Sequence, residues 1–495
     1  MGKLQDLLVK GKAVRGAAVG RSYNVGDLEY WDAVIREKVA EFGLSHFPQE
    51  FELCDHFQMI SFMAYSGMPS HYPHWSYGKA YERLKTFYDY GISGLPYEMV
   101  INSNPSIAYL MRDNSLALQI LTIAHVYAHN DFFKNNFTFS HLRSDLVVET
   151  FKNHADRVRD YVEDPSIGKQ KIEAFLDSAH ALALQCRRNP AIRKLDPDEQ
   201  KRRALRGAEP TPDEFRAIHK RPEYRQPDLH KVPLEPEDDI LLFIRDHNPR
   251  LSSWEKDLLT IVHEEAMYFL PQMETKVINE GWASYWHRTI MNSLDLPQDL
   301  HMEFLVRHSQ VVRPIPGEIN PYHLGLAVWD DIERRCDDPT LEEIEASGEP
   351  DRTGRDMMFQ VREVDRDVSF LRRFLTEKLM RDMDLIQYES KNGALVVSKV
   401  SDRENWQDIK NSLLNNVGLG SVPIIRVVDA DRGGTRTLAV RHEFDGRELL
   451  LDYADKTLQH VHQLWGRKVV LETKLNGENV ALSYDGDEFT RAKIK

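Results

Sequence analysis

Apolar residues recur at steps of three and four through residues 28–42, 116–133 and 172–184, the period of helices with one face on a core. Residues 28–185 are therefore predicted to be mostly helical. Between the first two segments lie SGMPSHYPHWSYGKAYERL and GISGLPYEMVINSNPSIAYLM, where Pro and Gly interrupt the chain too often for a long helix. Helical texture returns at Ser252. Ser252 and Glu255 have the spacing of a capping box, and a helix is predicted through Leu259, Val262 and Phe269, ended or kinked at Pro271. A second helix is predicted from Thr275 to about Asn292, with more toward Leu385. From about residue 386 the period changes. ALVVSKV and PIIRVVDAD are rich in β-branched residues, and TLAVRHEF alternates in the manner of a strand. Asp445-Gly446, Asn476-Gly477 and Asp485-Gly486 sit between apolar runs as hairpin turns do, with helical segments at 405–415 and 455–464 among them. The expected fold class is α+β: a large, mainly α-helical domain over residues 1–385 and a small α+β domain over 386–495.

Within the larger domain, residues 187–238 are rich in Pro and in both charges and poor in large apolar residues, as in an exposed excursion or linker. Their basic cluster 201–206 reads as a solvated charged face. The chain has 495 residues, 41% of them hydrophobic, enough for two or three cores. Its net charge of −14 offers nothing to nucleic acid or an anionic membrane. No window approaches the roughly 18 uninterrupted apolar residues of a membrane span, and the N-terminal stretch lacks the apolar core of a signal peptide. Cys54, Cys186 and Cys336 are scattered and odd in number, which argues against a disulfide framework. A cytoplasmic protein is expected.

Two segments carry candidate chemistry. In SLALQILTIAHVYAHNDFFKNNFTF, the stretch 116–127 is apolar on almost every face, the mark of a buried helix. His125 and His129 stand four apart on it, on one face, where two imidazoles can share a zinc, iron or copper ion. The alternative is that each imidazole hydrogen-bonds within a helical core. In ETKVINEGWASYWHRTIMNSL, Glu280 and His287 are seven apart, about 20° from alignment, opposite Trp282, Tyr285 and Trp286. A Glu on such a helix is costly unless it is paired or bound to a metal, so the alternative is a salt bridge to Arg112, Arg143 or Lys276. The phrase from Asn279 to Tyr285 also looks like the second-helix signature of glutamate-type zinc peptidases, in which the Glu is the third zinc ligand. The matching first-helix pattern is broken: His263-Glu264-Glu265-Ala266-Met267 has Met where the second His belongs. The expected centre is therefore assembled across helices, with His125, His129 and Glu280 holding the metal and His287 or Glu264 as general base or transition-state stabiliser. His74 reads equally as part of an aromatic-lined pocket wall or as a ligand, and His180 as a core histidine.

The runs YPHWSYGKAYE, INSNPSIAYLM, AHVYAHNDFFKNN, PQMETKVINEGWASYWH, INPYHLGLAVWDDIERR, VREVDRDVSFLRRFLT and VHQLWGRKVVLET together resemble the stage V sporulation protein R family over nearly the whole chain. The resemblance implies a bacterial protein linked to spore cortex formation or stress physiology. It also implies a serine protein kinase and a von Willebrand-type protein as partners, and counterparts of His125, His129, Glu280 and His287 in the family pattern. Two functions are compatible with it: a metal-dependent hydrolase of an amide bond, or a non-catalytic scaffold working with the kinase.

Overall fold

The computed structural model describes residues 23–90, 94–188, 194–208, 228–315, 318–391, 394–400 and 404–494. The chain divides into two compact units, Met1–Asp156 with Pro271–Ser421 and Arg157–Leu270 with Val422–Lys495. The class is α+β, a large helical part followed by a small C-terminal part built on a five-stranded sheet.

In the first unit, α1 (Val25–Glu41) starts at Asn24, whose side chain accepts from the Gly26 N–H while Asp27 accepts from the Asn24 N–H. A three-stranded sheet follows, made of β1 (Gln49–Cys54), β2 (Glu98–Ile101) and β3 (Ser106–Met111) in the order β1-β3-β2. β1 runs parallel to β3, and β2 pairs antiparallel with Glu98 opposite Leu110. β2 and β3 occupy the region rich in turn formers and β1 precedes it, and the pattern showed no strands at any of the three. Helix Trp75–Asp89 also lies there, longer than its Gly and aromatic content suggested, and His74 caps it by accepting from the Ser76 N–H.

The unit is centred on α2 (Leu116–Asn135), capped by Ser115 and buried at every position from Leu116 to Phe133. Against it packs α3 (Lys276–Ser293), followed by α4 (Gln298–Val311), α5 (Pro321–Asp337), α6 (Gly354–Val364) and α7 (Asp367–Phe374). The core is continuous from Trp31 and Ile35 of α1 through Tyr127 and Phe132 of α2 to Trp282, Trp329 and Phe370. Two contacts fix α3 within it. Its Gly281 meets Gly325 of α5 so closely that a Cβ on Gly281 would lie 2.4 Å from the Gly325 carbonyl carbon, so only hydrogen fits at either residue. At its N-terminus the Asp367 carboxylate accepts from the Val277 and Ile278 N–H groups at 3.0 and 2.9 Å, satisfying donors that the helix itself cannot. A third anchor ties α2, α3 and α6. Buried Asp131 accepts from Arg362 at 2.8 and 2.9 Å, from the Trp282 indole at 3.0 Å and from the Ser45 N–H at 2.7 Å. The unit ends with the hairpin of β4 (Ile386–Lys391) and β5 (Ala394–Val400) and with α8 (Trp406–Asn416).

In the second unit the sheet order is β10-β9-β8-β7-β6, from β6 (Ile425–Arg432), β7 (Thr437–His442), β8 (Val469–Leu475), β9 (Glu478–Tyr484) and β10 (Phe489–Lys493). Asn476-Gly477 makes the β8–β9 hairpin, both residues at positive φ, and Asp485-Gly486 joins β9 to β10. Asp445-Gly446 makes no hairpin. It lies in the connection to α9 (Leu451–Trp465), which crosses over so that β7 and β8 pair in parallel. The helix predicted from Ser252 is Ser253–Glu274, and the Ser252 N–H and hydroxyl both donate to Glu255. Pro271 does not end it: the chain stays helical to Glu274 and breaks at Thr275. The charged excursion contains a helix, Pro197–Ala208, that holds the basic cluster; residues 189–193 and 209–227 lie outside the described residues.

Candidate functional site

A buried, unbroken α2 positions two imidazoles. His125 and His129 are one turn apart, with ring centroids 4.5 Å apart and ring planes at 85°. α3 answers with three groups on its facing side: Asn279, Glu280 and His287. The His125 and His129 Nε2 atoms lie 3.6 and 3.4 Å from the same Glu280 oxygen, Oε2, which is buried with no hydrogen-bond partner. Among the described residues, no Arg or Lys pairs with Glu280, so the salt bridge considered for it is not formed. The three ligand atoms all lie within 4.8 Å of one another.

The hydrogen bonds behind the two rings decide what their Nε2 atoms can do. His129 Nδ1 is 2.9 Å from Asn279 Oδ1 and His125 Nδ1 is 2.9 Å from His287 Nδ1. The Asn279 oxygen only accepts, so His129 holds a proton on Nδ1, and the neutral form of the ring has its lone pair on Nε2. His287 uses its other nitrogen too, with Nε2 2.8 Å from His308 Nδ1 on α4. With both nitrogens engaged, His287 orients His125; it does not face the cluster.

Two further groups complete the surroundings. Glu98, at the start of β2, has Oε1 3.9 Å from His125 Nε2, just outside the group of three. Tyr322, at the start of α5, lies near enough to Glu280 to feel its charge, and its ring stacks near His125 at 6.1 Å. Asn320 sets Tyr322 by capping α5, accepting from the Tyr322 N–H at 3.0 Å. A cavity of about 870 Å³ opens onto His125, Glu98, His287 and Tyr322, its walls largely apolar, with Lys276 and Glu318 also lining it. That volume suits a small-molecule or peptide-sized ligand.

Each titration is displaced for a physical reason. Burial would raise Glu280, but the two histidines outweigh it and hold the carboxyl well below its ordinary range. For His129, burial favours the neutral ring, yet Glu280 tips the balance upward. Glu98 is raised: burial dominates, the two histidines oppose it and the Glu280 charge adds to it. His287 is driven far down by burial and by its imidazole neighbours, and His308 down to about 4 by burial and Arg288. Tyr322 is pushed far up by the Glu280 charge and then by burial. A carboxylate beside histidines, with no guanidinium or ammonium to neutralise it, is an electrostatic arrangement suited to a cation.

The donor set fits zinc. Two imidazole Nε2 atoms and a carboxylate oxygen are its usual ligands, and bonds of about 2.0–2.1 Å in a tetrahedron give ligand–ligand edges of about 3.4 Å. The two imidazole–carboxylate separations, 3.4 and 3.6 Å, are of that length, and the two imidazole nitrogens lie within 4.8 Å of each other.

Glu264 is not one of this group of three. It is exposed on the helix Ser253–Glu274, in the portion belonging to the second unit. The neighbouring His263 pairs with Asp239 at 2.7 Å, which gives the broken zincin-like phrase a structural use. Glu98, Asn279, Tyr322 and His308 went unassigned at the sequence level. Tyr322 stands within INPYHLGLAVWDDIERR and Asn279 beside Glu280, but nothing local to Glu98 or His308 marks them. Both arrive by tertiary contact.

The family model described as SpoVR like protein matches residues 22–422, and the SpoVR-like C-terminal domain matches 423–476. The chain belongs to the SpoVR family. It is 34% identical over 473 residues to the protein of Escherichia coli (strain K12) named Uncharacterized protein YcgB, covering 90% of this chain and 92% of that one. No solved structure matches. Both helices of this SpoVR-family chain that carry the candidate ligands, α2 and α3, lie inside the larger matched region, as do Glu98 and Tyr322. Among the described residues, no helix is long and apolar enough to cross a membrane.

Proposed function

We propose that this SpoVR-family chain is a metal-dependent hydrolase acting on an amide bond, with zinc the best-fitting ion and iron the alternative. The observation that carries the reading is the meeting of two Nε2 atoms with the unpartnered, buried Glu280 Oε2 beside a roomy cavity. His125, His129 and Glu280 would hold the ion. Three protein ligands facing a cavity favour a catalytic site, because a structural zinc usually has four. The ion would supply Lewis acidity, polarising a carbonyl and acidifying a water.

The chain's own groups do the rest. Glu98 is the general base in this reading, in the role first given to Glu264 or His287. It is close to His125, and its burial makes it a stronger proton acceptor than an ordinary carboxylate. It takes a proton from the attacking water and passes it to the departing amine. The Tyr322 hydroxyl lies at the cavity wall, where it can donate to negative charge developing on the carbonyl oxygen. Asn279 and His287 keep the two imidazoles in position. The apolar cavity walls hold the substrate and exclude water.

Purified protein replete with zinc should cleave members of a panel of N-acyl amino acids and short peptides. Glu98→Gln should lower kcat by a hundredfold or more with metal content unchanged. Full activity in that variant would remove Glu98 from the mechanism, and no cleavage by a zinc-loaded parent across the panel would sink the hydrolase reading. The family resemblance further supports a cytoplasmic role in sporulation or stress physiology alongside a serine protein kinase and a von Willebrand-type protein. Tagged protein should retain both from a lysate of its own cells, and retention of neither would count against that partnership.

A further inference from the structure

Three imidazoles form an unbranched chain leading away from the metal cluster. His125 Nδ1 meets His287 Nδ1 at 2.9 Å, and His287 Nε2 meets His308 Nδ1 at 2.8 Å. Each contact needs one proton, and each neutral ring has one proton to give. Only two arrangements of the neutral chain satisfy both contacts. In the outward one, His125 donates to His287 and His287 donates to His308, so His125 Nε2 bears a lone pair. In the inward one, His308 donates to His287 and His287 to His125, so His125 Nε2 bears a proton.

The surroundings of His125 Nε2 distinguish the two. It faces Glu280 Oε2 at 3.6 Å and Glu98 Oε1 at 3.9 Å. A protonated Nε2 is favourable against two carboxylates, whereas a bare lone pair there is repelled unless a cation sits between. The first arrangement therefore belongs to the loaded site and the second to the empty one. His129 has no such freedom, because Asn279 Oδ1 can only accept.

Resting on the metal-centre reading, we propose that His308 is a positioning residue whose hydrogen-bond polarity, relayed by His287, sets whether His125 can bind the metal. Loading the site inverts the chain. The His125 Nε2 proton leaves at the cluster, one proton crosses each N···N contact, and one enters at half-exposed His308, so no ring changes charge. His308 is reachable from outside the core while His287 is completely buried. Its neighbours Arg288 and Asp330 flank this outer end, so a change at the α4 surface is felt at the buried ligand.

The test replaces His308 by side chains of one polarity. Glu only accepts and should hold the outward arrangement; Arg only donates and should hold the inward one. Zinc affinity is measured by competition with a chromophoric chelator, with exposed Ser309→Glu and Ser309→Arg as charge controls. His308→Arg should lose tenfold or more, the scale of a lost supporting hydrogen bond. His308→Glu should bind at least as tightly as the parent, and both Ser309 variants should stay within about threefold of it. Imidazole ¹⁵N spectra of the unaltered protein supply a second readout, in which His287 should change from the Nδ1–H to the Nε2–H tautomer on adding zinc. Equal losses in His308→Glu and His308→Arg, or an unchanged His287 tautomer, would overturn the proposal. A parent that binds no zinc would instead defeat the metal-centre reading, before any variant is compared.

Discussion

His129 and Asn279 show how the centre is set one side chain at a time. The ring donates its Nδ1–H to Asn279 Oδ1 at 2.9 Å, which leaves Nε2, the lone-pair atom of the neutral ring, facing Glu280. Asn279→Leu keeps the size of the side chain and removes the acceptor, so zinc affinity should fall roughly ten- to a hundredfold while the fold is kept. Unchanged affinity in a chelator competition would mean that Asn279 does not hold the ring. Asp131 and Arg362 make the corresponding structural pair, both buried and both hydrogen-bonded. Arg362→Ala leaves the carboxylate without its cation, and chemical denaturation should show a loss of about 3–5 kcal/mol. A loss under about 1 kcal/mol would contradict that role. At this scale the sequence was informative where chemistry is local. The four-residue step between His125 and His129 and the carboxylate at Glu280 are legible from helical phase. The part played by His287 is not, because it depends on His308 lying 2.8 Å away on a different helix.

Helices deliver these groups only because α3 can approach its neighbours closely. The Gly281–Gly325 contact lets α3 and α5 touch backbone to backbone, which brings Tyr322 to Glu280. Gly281→Ala puts a methyl 2.4 Å from a carbonyl carbon that cannot yield, so α5 must move away. We expect lower thermal stability together with weaker zinc binding; a variant with both properties intact would show that the crossing is not tight. The N-terminus of α3 carries its own pH dependence. Burial pushes Asp367 up to about 7, against the Ile278 and Val277 N–H groups that favour its carboxylate. Between the unfolded value of about 4 and that raised value, the folded chain keeps a proton that the unfolded chain has lost. The stability this group contributes is therefore fully present below the window and lost as pH rises through it. Asp367→Asn removes this titration. Relative to the parent, the variant should gain in urea midpoint from pH 5 to pH 8, and a constant difference would refute the assignment. Element types were legible where the period was clean, as in α1, α2 and α3. The β1-β3-β2 sheet was not: its strands are short, and β1 and β2 are separated by two helices, so pairing rests on long-range contacts.

For the whole molecule, the two units are each discontinuous in sequence, whereas the change of period near residue 386 marks only a change of element type. The group of His125, His129 and Glu280, its orienting groups and the cavity all belong to the first unit, so the chemistry proposed here needs that unit intact. Glu98 illustrates what no local pattern could supply. It stands on a short strand, and it reaches His125 only because the sheet packs against α2. The broken HExxM phrase shows the converse, a local pattern with chemical promise whose His263 is used in a contact with Asp239 at 2.7 Å. The account turns on whether His125, His129 and Glu280 bind an ion at all. Elemental analysis of the purified parent, His129→Ala and Glu280→Ala tests this most directly, with circular dichroism to show that each variant is folded. We predict close to one zinc or iron per parent chain and little in either folded variant; a parent that stays metal-free after careful repletion, or variants that keep the parent's metal content, would contradict the account.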